Sequence, residues 1–200
     1  MKPAVLFAML LMVAGRTMAE TEPEPLPDFS TCMNREVARF ERQLVALENV
    51  PDLLPFAVGG TTGAIYCGGV GIVNCDRTGT PIPCQQRLAV EQELLATQVL
   101  MSVPEPDSFE TEGDLGQTLY PQLYALARGT SAGDDCAGAE PALKAWCRAW
   151  QANNRLSVTI HLWELARYLG QAEPAVTAGW ADEPPLVRPR ARKASQGQDQ

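Results

Sequence analysis

The chain of 200 residues contains one histidine, His161, and that scarcity removes several chemistries at once. A two-histidine zinc motif such as HExxH cannot be built from it. There is no CxxC pair, the usual spacing of thiol-redox centres, and so no CxxCH for covalent haem. No GxxxxGK[ST] loop is present to cradle phosphates. The sequence presents no recognisable cofactor site. Positive charge is also in short supply, with 16 Lys+Arg against 24 Asp+Glu and a net charge of −8. A chain this acidic repels nucleic acid and anionic headgroups, so neither is an expected partner.

At the start, Lys2 precedes the apolar stretch 4–14, and Thr17-Met18-Ala19 has the small-residue pattern of a cleavage site. Arg16 ends the apolar run well short of the roughly 20 residues that a membrane span needs. The pattern predicts a signal peptide over 1–19, an exported product and no stable membrane anchor. Glu20 rather than Cys follows the cut, so lipidation there is not expected. The Ala-ended site and the lack of Asn-x-Ser/Thr sequons point to a bacterial periplasm, with eukaryotic secretion the alternative.

All six cysteines, Cys32, Cys67, Cys75, Cys84, Cys136 and Cys147, follow that cut. An even count in an exported chain reads as a disulfide framework, for which six cysteines allow fifteen pairings. Local spacing favours Cys75–Cys84 around a turn-rich loop and Cys136–Cys147 at the start of a helix, leaving Cys32 for Cys67.

Removing Lys2 and Arg16 with the leader leaves −10; the four cations and Asp199 of 188–200 then concentrate −13 in residues 20–187. Such a body attracts basic partners or cations, though solubility alone is a sufficient reason for it. The basic cluster Arg188, Arg190, Arg192 and Lys193 reads as a solubilising end.

Residues 20–30 are an acidic, Pro-rich lead-in. Val37, Phe40, Leu44 and Leu47 then recur at helical spacing over about 31–49, with Ser30 or Thr31 as cap and Pro51 as stop. Residues 51–83 lack that period, and their glycines predict an irregular, cystine-pinned loop with one short strand near 65–66 or 72–73. Gly69-x-Gly71 is not a dinucleotide loop, because Asn74 stands where a third glycine belongs. Helical spacing resumes over 84–102, with Leu88, Leu95 and Val99 as the inward stripe and Val90, Leu94 and Met101 widening it. A shorter helix over 116–128 turns Leu119, Leu123 and Leu126 inward. Pro141 opens a long helix to 169–170, whose offset stripes, Leu143, Cys147 and Trp150 and then Val158, Leu162, Leu165 and Leu169, imply a wide buried face or a bend near Asn153-Asn154. Residues 171–200 read as a disordered tail. The expected fold is mainly α: a disulfide-stapled four-helix domain over 31–170 with a Gly-rich cystine loop segment.

Four groups of residues could carry function. Ser157, His161 and Glu164 fall at i, i+4 and i+7, the residue types of a nucleophilic triad, yet a mid-helix serine has no free amides beside it for an oxyanion hole. The acidic run Glu105, Asp107, Glu110, Glu112 and Asp114 offers hard oxygens without the spacing of a calcium loop, and a solvated loop accounts for it. Trp146 and Trp150 lie one helical turn apart, as do Tyr120 and Tyr124; aromatic pairs line binding faces or pack cores. Asp76 and Arg77 stand in a loop that a Cys75–Cys84 staple would stiffen for binding. Together these features predict a non-catalytic periplasmic binding protein with an envelope or secreted protein partner. A periplasmic hydrolase working through carboxylates or the Ser157 set is the alternative, and a thiol-redox or metal-binding role the third.

Overall fold

A computed structural model describes residues 25–49, 62–108, 113–129 and 136–183. Among the described residues the fold is built of helices α1 (Phe29–Asn49), α2 (Thr62–Asp76), α3 (Pro81–Met101), α4 (Tyr120–Gly129) and α5 (Pro141–Tyr168), without a strand. The mainly α expectation holds. The signal peptide, the basic cluster 188–193, Glu110 and Glu112 lie outside the described residues.

Helix α1 starts two residues earlier than its cap residues suggest. Asp28 is the acceptor at its end: Oδ1 takes the Thr31 N–H and Oδ2 the Thr31 hydroxyl, both at 2.8 Å. These bonds to the ionised form hold the Asp28 carboxyl below the ordinary aspartate range. Val37, Phe40 and Leu44 are buried as the spacing requires.

The Gly-rich segment is corrected most. Its residues 62–76 form α2, an unbroken helix, where a loop and a short strand were expected; residues 51–61 lie outside the described set. Packing overrides propensity here. Gly68 is buried, and a Cβ built on it would overlap the Asn153 carboxamide of α5. One on Gly71 would stand 3.0 Å from the Leu88 methyls of α3. Bridges Cys32–Cys67 and Cys75–Cys84 tie α2 to the helices on either side of it, and Cys136–Cys147 clamps the approach to α5. This is the pairing that local spacing favours.

Helix α5 is the hub, packing on α2, α3 and α4, with its largest contact to α3. It runs without interruption from 141 to 168; of the first stripe Leu143 and Trp150 stay exposed, and the buried face passes instead through Ala145, Ala149 and Ala152 to Leu156, Leu162, Trp163 and Leu165. Each of the last four side chains contributes about 1.5–3 kcal/mol by leaving water. Small residues, Ala145, Ala149 and Ala152 on α5 with Ala89 and Ala96 on α3, line the buried faces and permit close helix approach. Glu93 of α3 and Arg155 of α5 form an ion pair across them.

Three further expectations are corrected. On α3, Val90, Leu94 and Met101 do not widen the inner stripe but point outward, at 59%, 61% and 75% exposure. The inner face takes Gln85 and Gln92 instead, because Leu88, Ala96 and Val99 set the helix rotation. Leu126 of α4 and Leu143 of α5 are likewise exposed; α4 turns Tyr120, Leu123, Tyr124 and Ala127 inward.

The third correction concerns 171–183, expected as disordered tail. It folds back over the bundle as a strap with Ala175 and Trp180 buried. Trp180 meets Trp163 edge to face at 4.8 Å, and its indole N–H donates to Ser102 Oγ at 3.1 Å. The Asp182 N–H donates to Asn34 Oδ1 at 3.1 Å, and Asn34 Nδ2 returns a bond to the Asp182 carboxylate at 2.8 Å. Arg167 grips both carboxylate oxygens of Glu41 at 3.1 and 2.8 Å and donates to the Ala172 carbonyl at 3.0 Å, joining α1, α5 and the strap.

Candidate interaction surface

Pro141 at the first position sets the start of α5, and the Cys136–Cys147 bridge fixes the preceding segment against its second turn. From this stiffened end project Leu143, Trp146 and Trp150, spaced i, i+3 and i+7 within an arc of about 60°. Their exposures are 56%, 40% and 38%. The two indoles are nearly parallel, 4° apart in plane with centroids 5.9 Å apart. Each ring thus covers part of the other and leaves the rest of its face to solvent.

The tyrosine pair takes the other course. Tyr120 is fully buried and Tyr124 nearly so, with centroids 6.2 Å apart. Tyr120 donates its hydroxyl to the Pro104 carbonyl at 2.6 Å, and burial raises its pKa above the ordinary phenol value. Arg128 stands 6.0 Å from the Tyr124 ring centre. These tyrosines belong to the core, so the accessible aromatic face narrows to the tryptophans. What separates the pairs is the neighbouring sequence: Leu123 and Ala127 extend the tyrosine side into an apolar stripe, whereas the tryptophans lie near Lys144 and Arg148.

Asp76 ends α2 and Arg77 opens the short corner 77–80 before α3; both are exposed. The bridge Cys75–Cys84 closes this corner, and Gln85 Nε2 donates to Asp76 Oδ1 at 2.6 Å. The corner is therefore a rigid helix–helix turn, shorter than the loop of 76–83 read from the sequence.

Ser157, His161 and Glu164 are not assembled into a triad. The Ser157 hydroxyl donates to the Asn153 carbonyl at 2.8 Å, as a buried helical serine does. His161 Nε2 is buried without a hydrogen-bond partner, and desolvation lowers the imidazole pKa. Glu164 lines a shallow cleft with Glu36, Arg39 and Gly63 that has room for about one water. That space suits no substrate. Among the described residues, no group of His, Cys, Asp and Glu is placed to hold a metal ion.

The outward apolar row on α3 is what the sequence reading missed. A signal was available: Gln85 and Gln92 interrupt the inner stripe, while Val90, Leu94 and Met101 keep a spacing of their own.

Comparison with protein-family models, curated proteins and solved structures gives no match. Three disulfides mark an oxidising environment outside the cytoplasm. Among the described residues no helix is long and apolar enough to cross a membrane.

Proposed function

We propose that this chain is a non-catalytic binding protein of the bacterial periplasm that holds a basic, exported protein partner through Leu143, Trp146 and Trp150. The reading is carried by the stacked, half-exposed tryptophan pair next to a disulfide. Tryptophan is prominent among interface hot spots because it buries much apolar area while freezing few torsions. A helix end already stiffened by a bridge loses little further freedom on binding. The charge of −13 in residues 20–187 favours a basic partner and speeds encounter with it. Asp76 and Arg77, on a corner of comparable stiffness, form a second, smaller contact.

A photo-crosslinking residue placed at Leu143 in cells that export the chain tests this. The expected result is one discrete adduct with a basic protein, lost in Trp146→Ala and in Trp150→Ala while helical content is kept. With the purified partner, each substitution weakens binding by at least about 30-fold, the equivalent of a hot spot of about 2 kcal/mol. No adduct, or one that survives both substitutions, would refute the reading.

A further inference from the structure

Helix α2 holds four glycines, and three of them are matched to a neighbour within the chain. A Cβ on Gly63 would press on the Glu36 carboxylate, one on Gly68 on the Asn153 carboxamide and one on Gly71 on the Leu88 methyls. Gly69 has no such reason. Nothing stands within 4 Å of where its Cβ would be, and alanine would favour the helix more. A helical glycine that its own chain does not require fits a place where another backbone comes close.

The surface around Gly69 is apolar as well. From Thr62 to Cys75 the helix carries no charged residue, and a helix apolar nearly all round is one that is covered on every side. Yet Ile65, Tyr66 and Val73 are exposed.

The order of the outward row selects the occupant. Thr62, Ile65, Gly69, Val73 and Asp76 are spaced three, four, four and three, the same from either end, within an arc of about 80°. All five lie on one continuous helix, so a two-fold axis through Gly69 holds in space as it does in sequence. It sets Gly69 against Gly69 of a second copy, where the two backbones can approach. Ile65 then meets Val73 on each side, every contact occurring twice as an isologous interface requires. The same axis brings Asp76 to the N-terminal turn of the opposite α2, where the helix dipole favours a carboxylate. Gln85 takes Oδ1 of Asp76, and Oδ2 has no partner among the described residues. Parallel pairing would instead set Asp76 beside Asp76 at the negative ends of both helices.

We infer that the chain forms an antiparallel homodimer through α2, with Gly69 on the two-fold axis, Ile65 and Val73 packed across it and Tyr66 along its edge. The interface uses none of Leu143, Trp146 and Trp150, so it does not depend on the binding role proposed for them.

Sedimentation velocity of the exported, disulfide-bonded chain across the micromolar range gives the first reading. The expected mass is that of two chains, falling toward one on dilution. Gly69→Leu has room to fold, and it reduces the mass to one chain with an unchanged helical circular dichroism spectrum. Single added thiols then locate the axis. Gly69→Cys sets two thiols face to face and links two chains covalently on mild oxidation. Val73→Cys, held about 12 Å along the axis from its own counterpart and beyond the reach of a disulfide, does not. A single-chain mass for the unaltered protein overturns the proposal and gives the face to a different occupant. So does a dimer that survives Gly69→Leu, or a covalent yield from Val73→Cys equal to that from Gly69→Cys.

Discussion

Gly68 of α2 lies directly against the carboxamide of Asn153 in α5, so close that a Cβ on the glycine would overlap it. Asn153 is itself fully buried and donates from Nδ2 to the Ile65 carbonyl at 3.2 Å, which holds it in that place. Gly69, the next residue along, has nothing within 4 Å of where its Cβ would be. Adjacent glycines in one helix thus have opposite reasons for being tolerated. Gly68→Ala should destabilise the fold by about 1–3 kcal/mol through overpacking. Gly69→Ala should stabilise it by about 0.5–1 kcal/mol through helix propensity. Urea denaturation of the two variants checks both signs together.

That pair also shows where the sequence could and could not be read. Val37, Phe40 and Leu44 are on a helix flanked by polar positions, and their period alone places α1. Helix α2 has almost no amphipathic contrast, since it is small and apolar nearly all round, so its residues look like a loop. Its helicity comes from what surrounds it: Asn153 and Leu88 press on its glycines, and bridges from Cys67 and Cys75 hold it at two points. The tryptophan and tyrosine pairs were legible as pairs, and the residues beside them, Leu123 and Ala127 against Lys144 and Arg148, separate the pair that packs inward from the pair that reaches solvent.

Trp180 was hidden for a related reason. The stretch 171–183 has no periodicity because it is not helical, yet its indole seals the end of the bundle against Trp163 and bonds Ser102. Trp180→Ala should cost about 3 kcal/mol or more, the loss typical of a large buried aromatic. Ending the chain after Gly170 should cost at least as much, since it also removes the Arg167–Ala172 and Asn34–Asp182 bonds. Thermal unfolding that is indifferent to both changes would return this stretch to the status of a tail.

Gln92 is fully buried with both Nε2 and Oε1 unbonded. A buried amide that has given up its water without gaining a partner costs about 1–3 kcal/mol. Methionine has nearly the same length and volume and no such demand. Gln92→Met should therefore raise stability by about 1 kcal/mol or more in urea titration. A loss would show that the amide makes bonds in solution that the packed side chains do not supply.

His161 gives the fold a pH dependence of predictable sign. Burial lowers its pKa below the ordinary 6.5, so the unfolded chain takes up a proton at a pH where the folded chain does not. Stability attributable to the neutral imidazole is present above 6.5 and is lost as the pH falls through the lowered folded value. As the chain has no other histidine, substitution isolates the effect from the carboxylates. Unfolding free energies measured from pH 7.5 down to about 5 should fall more steeply for the unaltered chain than for His161→Gln. Parallel curves would mean that His161 titrates alike in both states, and that its Nε2 reaches solvent in the folded protein.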